Sequence, residues 1–312
     1  ERMLEVSIVP EAARNRHNRL LEEACAKLQW RGGGLSHNRT GCLGSGFCEL
    51  GCRYNAKNNA YKIMLPRFLA AGGDIVVHAV ATRLVHSHSK VQVVEAVAID
   101  PTTQETIGHF SIAAKRVCLA ASATGTPALL RRSQVPDPSN QTGRTLRVHP
   151  AIVAAGDFTE QVRAWEGIPQ TYECTEFLEL DDPSKHRTWI LPSFAHPVGT
   201  SSMVPGSGNS HRRTMERYAN LAVFTAMIHD LSCGEVSPRG AMGVSISYWP
   251  NEGDRRELAF GLWASVKLLF AAGAKRVMIP TQSPINLTID DDIDALKNFE
   301  VKKGDIDVVA VH

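Results

Sequence analysis

Long apolar runs are missing from this chain. No stretch of about eighteen apolar residues occurs, which excludes a membrane-spanning helix of ordinary length. Charge of one sign is missing too. Against 34 Lys and Arg stand 32 Asp and Glu, a net charge of +2, too little to favour nucleic acid or an anionic membrane surface as a partner. No internal repeat or low-complexity tract is apparent. No secretory leader is visible, although a chain that opens on Glu1 rather than Met says little on that point. A disulfide framework is also missing. Seven cysteines are an odd number, and Cys25, Cys118, Cys174 and Cys233 stand singly, the pattern of reduced thiols or ligands. Reduced thiols make the cytoplasm the expected location. What is present is 312 residues at 43% hydrophobic, enough to bury the core of one large domain or two.

One stretch stands out. Residues 41–57 carry Cys42, Cys48 and Cys52, spaced C-x5-C-x3-C, among Gly41, Gly44, Gly46 and Gly51, with no hydrophobic period. Glycine at that density suits a backbone that takes unusual dihedrals or comes close to another group. A helical pattern then begins, with Tyr61, Met64, Leu65, Phe68 and Leu69 recurring at three and four. A glycine-rich, thiol-bearing loop thus feeds a helix whose first amides are free to face an anion or cofactor.

Elsewhere the patterning predicts a helix over 12–28, ended by Gly32-Gly33-Gly34, and a β-meander starting at Ile75–Val77 and running through 80–85, 91–99 and 110–112. Residues 113–121 read as a buried strand, followed by a tight turn and a helix with Pro127 near its first turn. Strands are expected at 146–158, 172–180, 189–191, 243–249 and 276–279, with helices at 213–230 and 252–272. The region 151–289 therefore reads as α+β, strands covered by helices.

Two motifs then carry a resemblance. Ala121-Ser122-Ala123-Thr124-Gly125-Thr126-Pro127-Ala128-Leu129-Leu130 resembles the A-G-A-x-G-T-P-x-L-L turn of the glucose–methanol–choline (GMC) flavoprotein oxidoreductases, with Ser122 in place of the usual glycine. Gly143-Arg144-Thr145-Leu146-Arg147-Val148-His149-Pro150 resembles that family's G-R-N-L-x-x-H-P. Asn38-Arg39, the pattern C-x-G-x-G-x-C-x-x-G-C and Ala56-Lys57 resemble its cysteine-bearing loop, especially in the long-chain alcohol oxidase and dehydrogenase-like branch. The family's opening G-x-G-x-x-G motif does not occur, and Val309-Ala310-Val311-His312 looks like the entry to its closing segment, so the chain reads as an internal piece of a longer flavoenzyme.

The resemblance implies a fold and a chemistry. The fold would be mixed α+β and α/β: part of a Rossmann-like FAD-binding domain over 1–150, an antiparallel-sheet substrate domain over 151–289, and a return to the first domain over 290–312. FAD would lie against Ala81, the turn of Ala121, Ser122, Ala123, Gly125 and Thr126, the loop residues Asn38, Gly44 and Gly46, and His312. The reaction would oxidise a small or long-chain alcohol, with the hydroxyl proton taken by a histidine beyond His312 and hydride passing to flavin N5. The piece alone would be inactive. Cys42, Cys48 and Cys52 also match the spacing of loops in some relatives that hold a 3Fe–4S cluster and pass electrons to a cytochrome partner. His196, in Ala195-His196-Pro197-Val198-Gly199-Thr200, mimics the closing motif but sits mid-chain, so it reads as a capping or lining residue.

Two other classes stay open on the residues alone. Ser122 or Cys118 could be a nucleophile, although Ser122 lacks a G-x-S-x-G elbow. The chain could also be a binding or scaffold domain without chemistry.

Overall fold

The computed structural model describes residues 2–48, 50–87, 90–182, 184–281 and 283–311. In chain order the elements are β1 (Val6–Ile8), α1 (Arg16–Leu28), β2 (Gly32–Gly34), β3 (Ser36–Asn38), α2 (Ala60–Ala70), β4 (Ala79–Ser87), β5 (Lys90–Ile99) and β6 (Thr106–Ala113). They continue with α3 (Ser122–Arg132), β7 (Val148–Asp157), β8 (Tyr172–Cys174), β9 (Thr188–Pro192), α4 (Pro197–Met203), α5 (Gly208–Glu216) and β10 (Leu221–Ile228). The last are β11 (Glu235–Arg239), β12 (Gly243–Ser247), α6 (Glu252–Ala272), β13 (Arg276–Ile279), β14 (Ile285–Thr288) and β15 (Asp307–Val311). Among the described residues, no helix is long and apolar enough to cross a membrane.

Two compact units emerge, and they do not follow a division in sequence order. The first comprises residues 1–68, 149–229 and 252–309; the second comprises 69–148, 230–251 and 310–312. The first unit is built on a sheet in the order β14-β13-β7-β10-β9-β8-β2, with β15 also beside β7. The pairs β10–β7, β10–β9 and β13–β7 are antiparallel. Alternation sends Ile152, Ala154, Ile190, Phe224 and Ala226 into one core with Leu20, Leu21 and Ala24 of α1 and Leu258, Leu262 and Leu269 of α6. One face of the sheet is thus sealed by two helices.

The seal is close because α6 carries Gly261 where it crosses the strands. A side-chain carbon there would stand 2.7 Å from Cβ of Ala226 and 3.1 Å from Cγ2 of Thr188. Polar pairing fixes the same contact. Glu257, 8% exposed, accepts from the Arg187 amide at 2.7 Å and the Thr188 hydroxyl at 2.6 Å, and lies 3.0 Å from Nδ1 of His186. Both terminal nitrogens of Arg187 lie 3.2 Å from Oδ1 of fully buried Asp254. A buried carboxylate left without such donors costs several kcal/mol, so these bonds set the register of α6 on β9.

The second unit holds the antiparallel meander β4-β5-β6 and the hairpin β11-β12. Helix α3 packs on β4 and β11, and Ser133 at its end accepts from the Leu84 amide at 2.8 Å. Two expected strands are not formed here. Residues 114–120 and 74–77 are irregular, with Ile75, Val76, Val77 and Cys118 exposed. A buried strand must have its backbone groups bonded by neighbours, and no described strand pairs with either segment.

The third correction is larger. The helix predicted over 213–230 is α5, a short 3-10 turn and then β10, a strand near the middle of the large sheet. Leu221–Ile228 is apolar on nearly every residue because one face packs into the core and the other floors an apolar cavity, so its hydropathy shows no two-residue alternation. The strand expected over 172–180 extends only to Cys174.

Gly261→Ala sets helix propensity against packing. Alanine gains about 1 kcal/mol in a helix interior, and overpacking a filled core costs about 1–3 kcal/mol. The variant is expected to unfold at lower urea, with a net loss of about 1 kcal/mol; an unchanged midpoint would show that helix and sheet part freely.

His17 of α1 gives a pH signature. It is 2% exposed, its Nε2 lies 3.0 Å from the Val223 carbonyl oxygen, and burial pushes its pKa from 6.5 down to about 4. Between those values the unfolded chain binds a proton that the folded chain refuses, so stability falls as pH drops through the window. His17→Gln is expected to lose about 2 kcal/mol less than the parent between about pH 7.5 and 4.5 in urea titrations; parallel losses would refute this.

Candidate functional site

The face of the large sheet turned away from α1 and α6 is open. Alternate residues Val153, Ala155, Val223, Thr225, Met227 and Met278 floor a cavity of about 450 Å³. The strand registers put them side by side: Thr225 faces Val153 on β7 and Leu191 on β9, and Met278 faces Ala155. Helix α4, with Gly199, Thr200, Ser202 and Met203, walls it together with Phe194 and His196. No Asp, Glu, Lys or Arg is among the lining residues, and the floor is interrupted by one polar spot, where the Ser193 and Thr225 hydroxyls hydrogen-bond each other. The volume and the apolar character suit a small-molecule pocket.

A chain of contacts distant in sequence holds the wall. The Tyr218 hydroxyl donates to the Ala195 carbonyl, and its ring stacks on Trp165 at 4.5 Å. Burial raises the Tyr218 phenol to about 12, so it stays a donor. His196 precedes α4 as its N-cap residue, without a side-chain capping bond. Its ring lies beside Phe194 and meets Phe47 edge-on at 5.5 Å. A lining role for His196 is therefore what the geometry supports.

Phe47 belongs to the cysteine loop, which closes at its base. The Thr40 amide donates to the Ala56 carbonyl at 2.9 Å, the Asn58 amide donates to Asn38 at 2.8 Å, and Arg39 bridges Lys57. Asn38 donates its side-chain amide to the Asn58 carbonyl, so its polar end is engaged within the loop base. Gly44 and Gly46 both take left-handed φ, 66° and 73°. Gly44 packs on Gly167, and a side chain on Gly46 would collide with the Trp165 carbonyl oxygen. These glycines let the loop lie flat on the segment that leads to the cavity.

The three loop thiols are free. The Gly44 amide donates to Sγ of Cys42 at 3.4 Å and the Ala56 amide to Sγ of Cys52 at 3.3 Å. Backbone donors, first that of Lys57, lower the Cys52 thiol, and burial raises that of Cys48. Among the described residues no three His, Cys, Asp or Glu side chains gather as a metal site requires.

The remaining expected cofactor contacts belong to the second unit. Ala81 is exposed on β4 and pairs with Ala96. Ala121 precedes α3, and its amide donates to the Thr126 hydroxyl at 3.0 Å. Ser122 sits at φ 64°, the left-handed region that favours glycine, which accounts for glycine being usual there. Ala123, Gly125 and Thr126 are small and partly exposed, and no acidic residue lies in the first turn. Small residues and a positive potential at the helix start that no acidic side chain cancels fit a phosphorylated cofactor's approach. His312 lies outside the described residues.

Sequence reasoning missed the cavity floor, because Val223, Thr225 and Met227 were assigned to a helix. The signal was length: eight residues between Asn220 and His229, seven of them apolar, suit a strand better than a helix.

Gly46→Ala is expected to free residues 41–57 for proteolysis and to cost about 2 kcal/mol. Gly41→Ala, whose side chain would meet nothing within 4 Å, carries only the backbone penalty of about 1 kcal/mol. Equal effects in limited proteolysis and urea titration would refute the contact with Trp165.

Comparison with known proteins agrees with this arrangement. A family profile described as GMC oxidoreductase matches residues 2–151. An uncharacterized GMC-type oxidoreductase of Mycobacterium tuberculosis is 36% identical over 289 residues, 91% of this chain and 44% of that protein. A long-chain-alcohol oxidase of Arabidopsis thaliana is 24% identical, covering 84% of this chain and 36% of its own length. The chain thus spans about half the length, or less, of these curated relatives. Among solved structures, pyridoxine 4-oxidase from Mesorbium loti superposes with a TM-score of 0.63 at 15% identity, over 94% of this chain and 58% of that one. Formate oxidase from Aspergillus oryzae gives 0.62 at 11% identity, over 97% and 61%. With its cysteine loop, its glycine-poor α3 turn and its antiparallel sheet all in the expected order, the chain belongs to the GMC oxidoreductase family.

Proposed function

We propose that this chain is the substrate-holding part, and one wall of the FAD site, of a flavin-dependent oxidoreductase acting on the CH–OH group of an alcohol. The observation that carries the reading is the uncharged cavity on the open face of the sheet, in a chain of this family. An apolar floor withdraws the carbinol's hydrocarbon part from water and orients it against the wall of α4. Lining without carboxylates or cations suits a neutral substrate, since a charged one would lose its hydration without compensation. Bound FAD supplies the hydride acceptor. Ala121–Thr126 would hold it through small side chains and helix-start amides. In this reading the hydroxyl proton is taken by a histidine base not assigned among the described residues.

Full-length protein purified from its own coding sequence is expected to be yellow, with a flavin spectrum. Anaerobic addition of 1-decanol is expected to bleach that spectrum, and glucose is not. A colourless full-length protein would overturn the flavin reading and favour a scaffold; a yellow protein that no alcohol bleaches would overturn the substrate reading alone.

A further inference from the structure

The polar spot in the cavity floor has an unspent hydrogen-bonding capacity. Thr225 sits mid-strand on β10 with apolar neighbours Val223 and Met227 on the same face, and its cross-strand partners are Val153 and Leu191. Its hydroxyl and that of Ser193 hydrogen-bond each other, and either can be the donor. Two hydroxyls that share one hydrogen bond hold two protons, and the bond uses one. Among the described residues, no further side-chain or backbone acceptor meets either oxygen. The second proton therefore faces the cavity. Water can take that bond while the cavity is wet, but a ligand that fills the cavity must replace it or leave a buried donor unmet.

We infer that the Ser193–Thr225 hydroxyl pair is the docking point for the single polar end of an uncharged, otherwise apolar molecule, which makes it a specificity-determining pair for monohydric alcohols. The inference rests on the reading of the cavity as the substrate site, and it adds which atoms select the ligand. Three features converge on it. The pair is central to the floor. The floor around it is apolar, the other polar lining residues (Gln170, His196, Thr200 and Ser202) stand off that floor, and no Asp, Glu, Lys or Arg lines the cavity to pair with an ammonium or a carboxylate group. Either hydroxyl can serve, because removing one frees the other.

That redundancy sets the test. Headspace partition of 1-hexanol and of hexane would be measured over full-length holoprotein in the parent, Ser193→Ala, Thr225→Val and the double variant. The single variants are expected to bind 1-hexanol within about threefold of the parent, since one hydroxyl remains. The double variant is expected to bind it about tenfold more weakly, the worth of one net hydrogen bond. Hexane binding is expected to stay within about twofold throughout, which also reports an intact cavity. The variant S193A/T225S, which restores one hydroxyl, is expected to recover 1-hexanol binding. Unchanged 1-hexanol binding in the double variant, parallel loss of both probes, or no binding of either probe to the parent would each overturn the inference. The flavin colour of the same samples reports separately on the redox reading.

Discussion

A sheet with two apolar faces and helices for only one of them is the constraint on which the first unit depends. Helices α1 and α6 take the inner set of alternate residues, and they do so at close range because Gly261 has no side chain to hold Ala226 and Thr188 away. The buried carboxylates of α6 then have defined donors on β9. With that face sealed, the other set of alternate residues, from Val153 to Met278, is left to line a cavity. The same two-residue period that builds the core therefore builds the pocket floor.

The walls follow a different logic. Helix α4 and the segment before it are irregular in sequence and would not hold a position alone. They are held by the Tyr218 hydroxyl on the Ala195 carbonyl, by Trp165 behind Tyr218, and by Phe47 from the cysteine loop against His196. The glycines of that loop matter because the backbone of residues 44–46 must lie against residues 165–167. A loop that looked like a ligand cradle in sequence thus has a demonstrable packing role beside the cavity.

Much of the architecture was legible. The period of Leu20, Leu21 and Ala24 announced α1, Val244 and Ile246 announced a wet strand, and the long apolar face of 252–272 announced α6. What failed did so for one reason. Leu221–Ile228 and the run 117–120 within the segment 114–120 carry apolar residues without a period, and their fate depends on neighbours. The first has β7 and β9 on its two sides and is a strand; the second has no described partner and is irregular.

The sequence by itself determined the family resemblance, the glycine-dependent bends and the mixed α and β character, because those reside in local dihedral demands and short motifs. Only the tertiary structure decided that β10 lies near the centre of the sheet, that residues 1–68 pack with 149–229, and that Ser193 and Thr225 meet on a shared floor. The physical reason is that strand pairing joins residues far apart along the chain, and no local pattern names the partner.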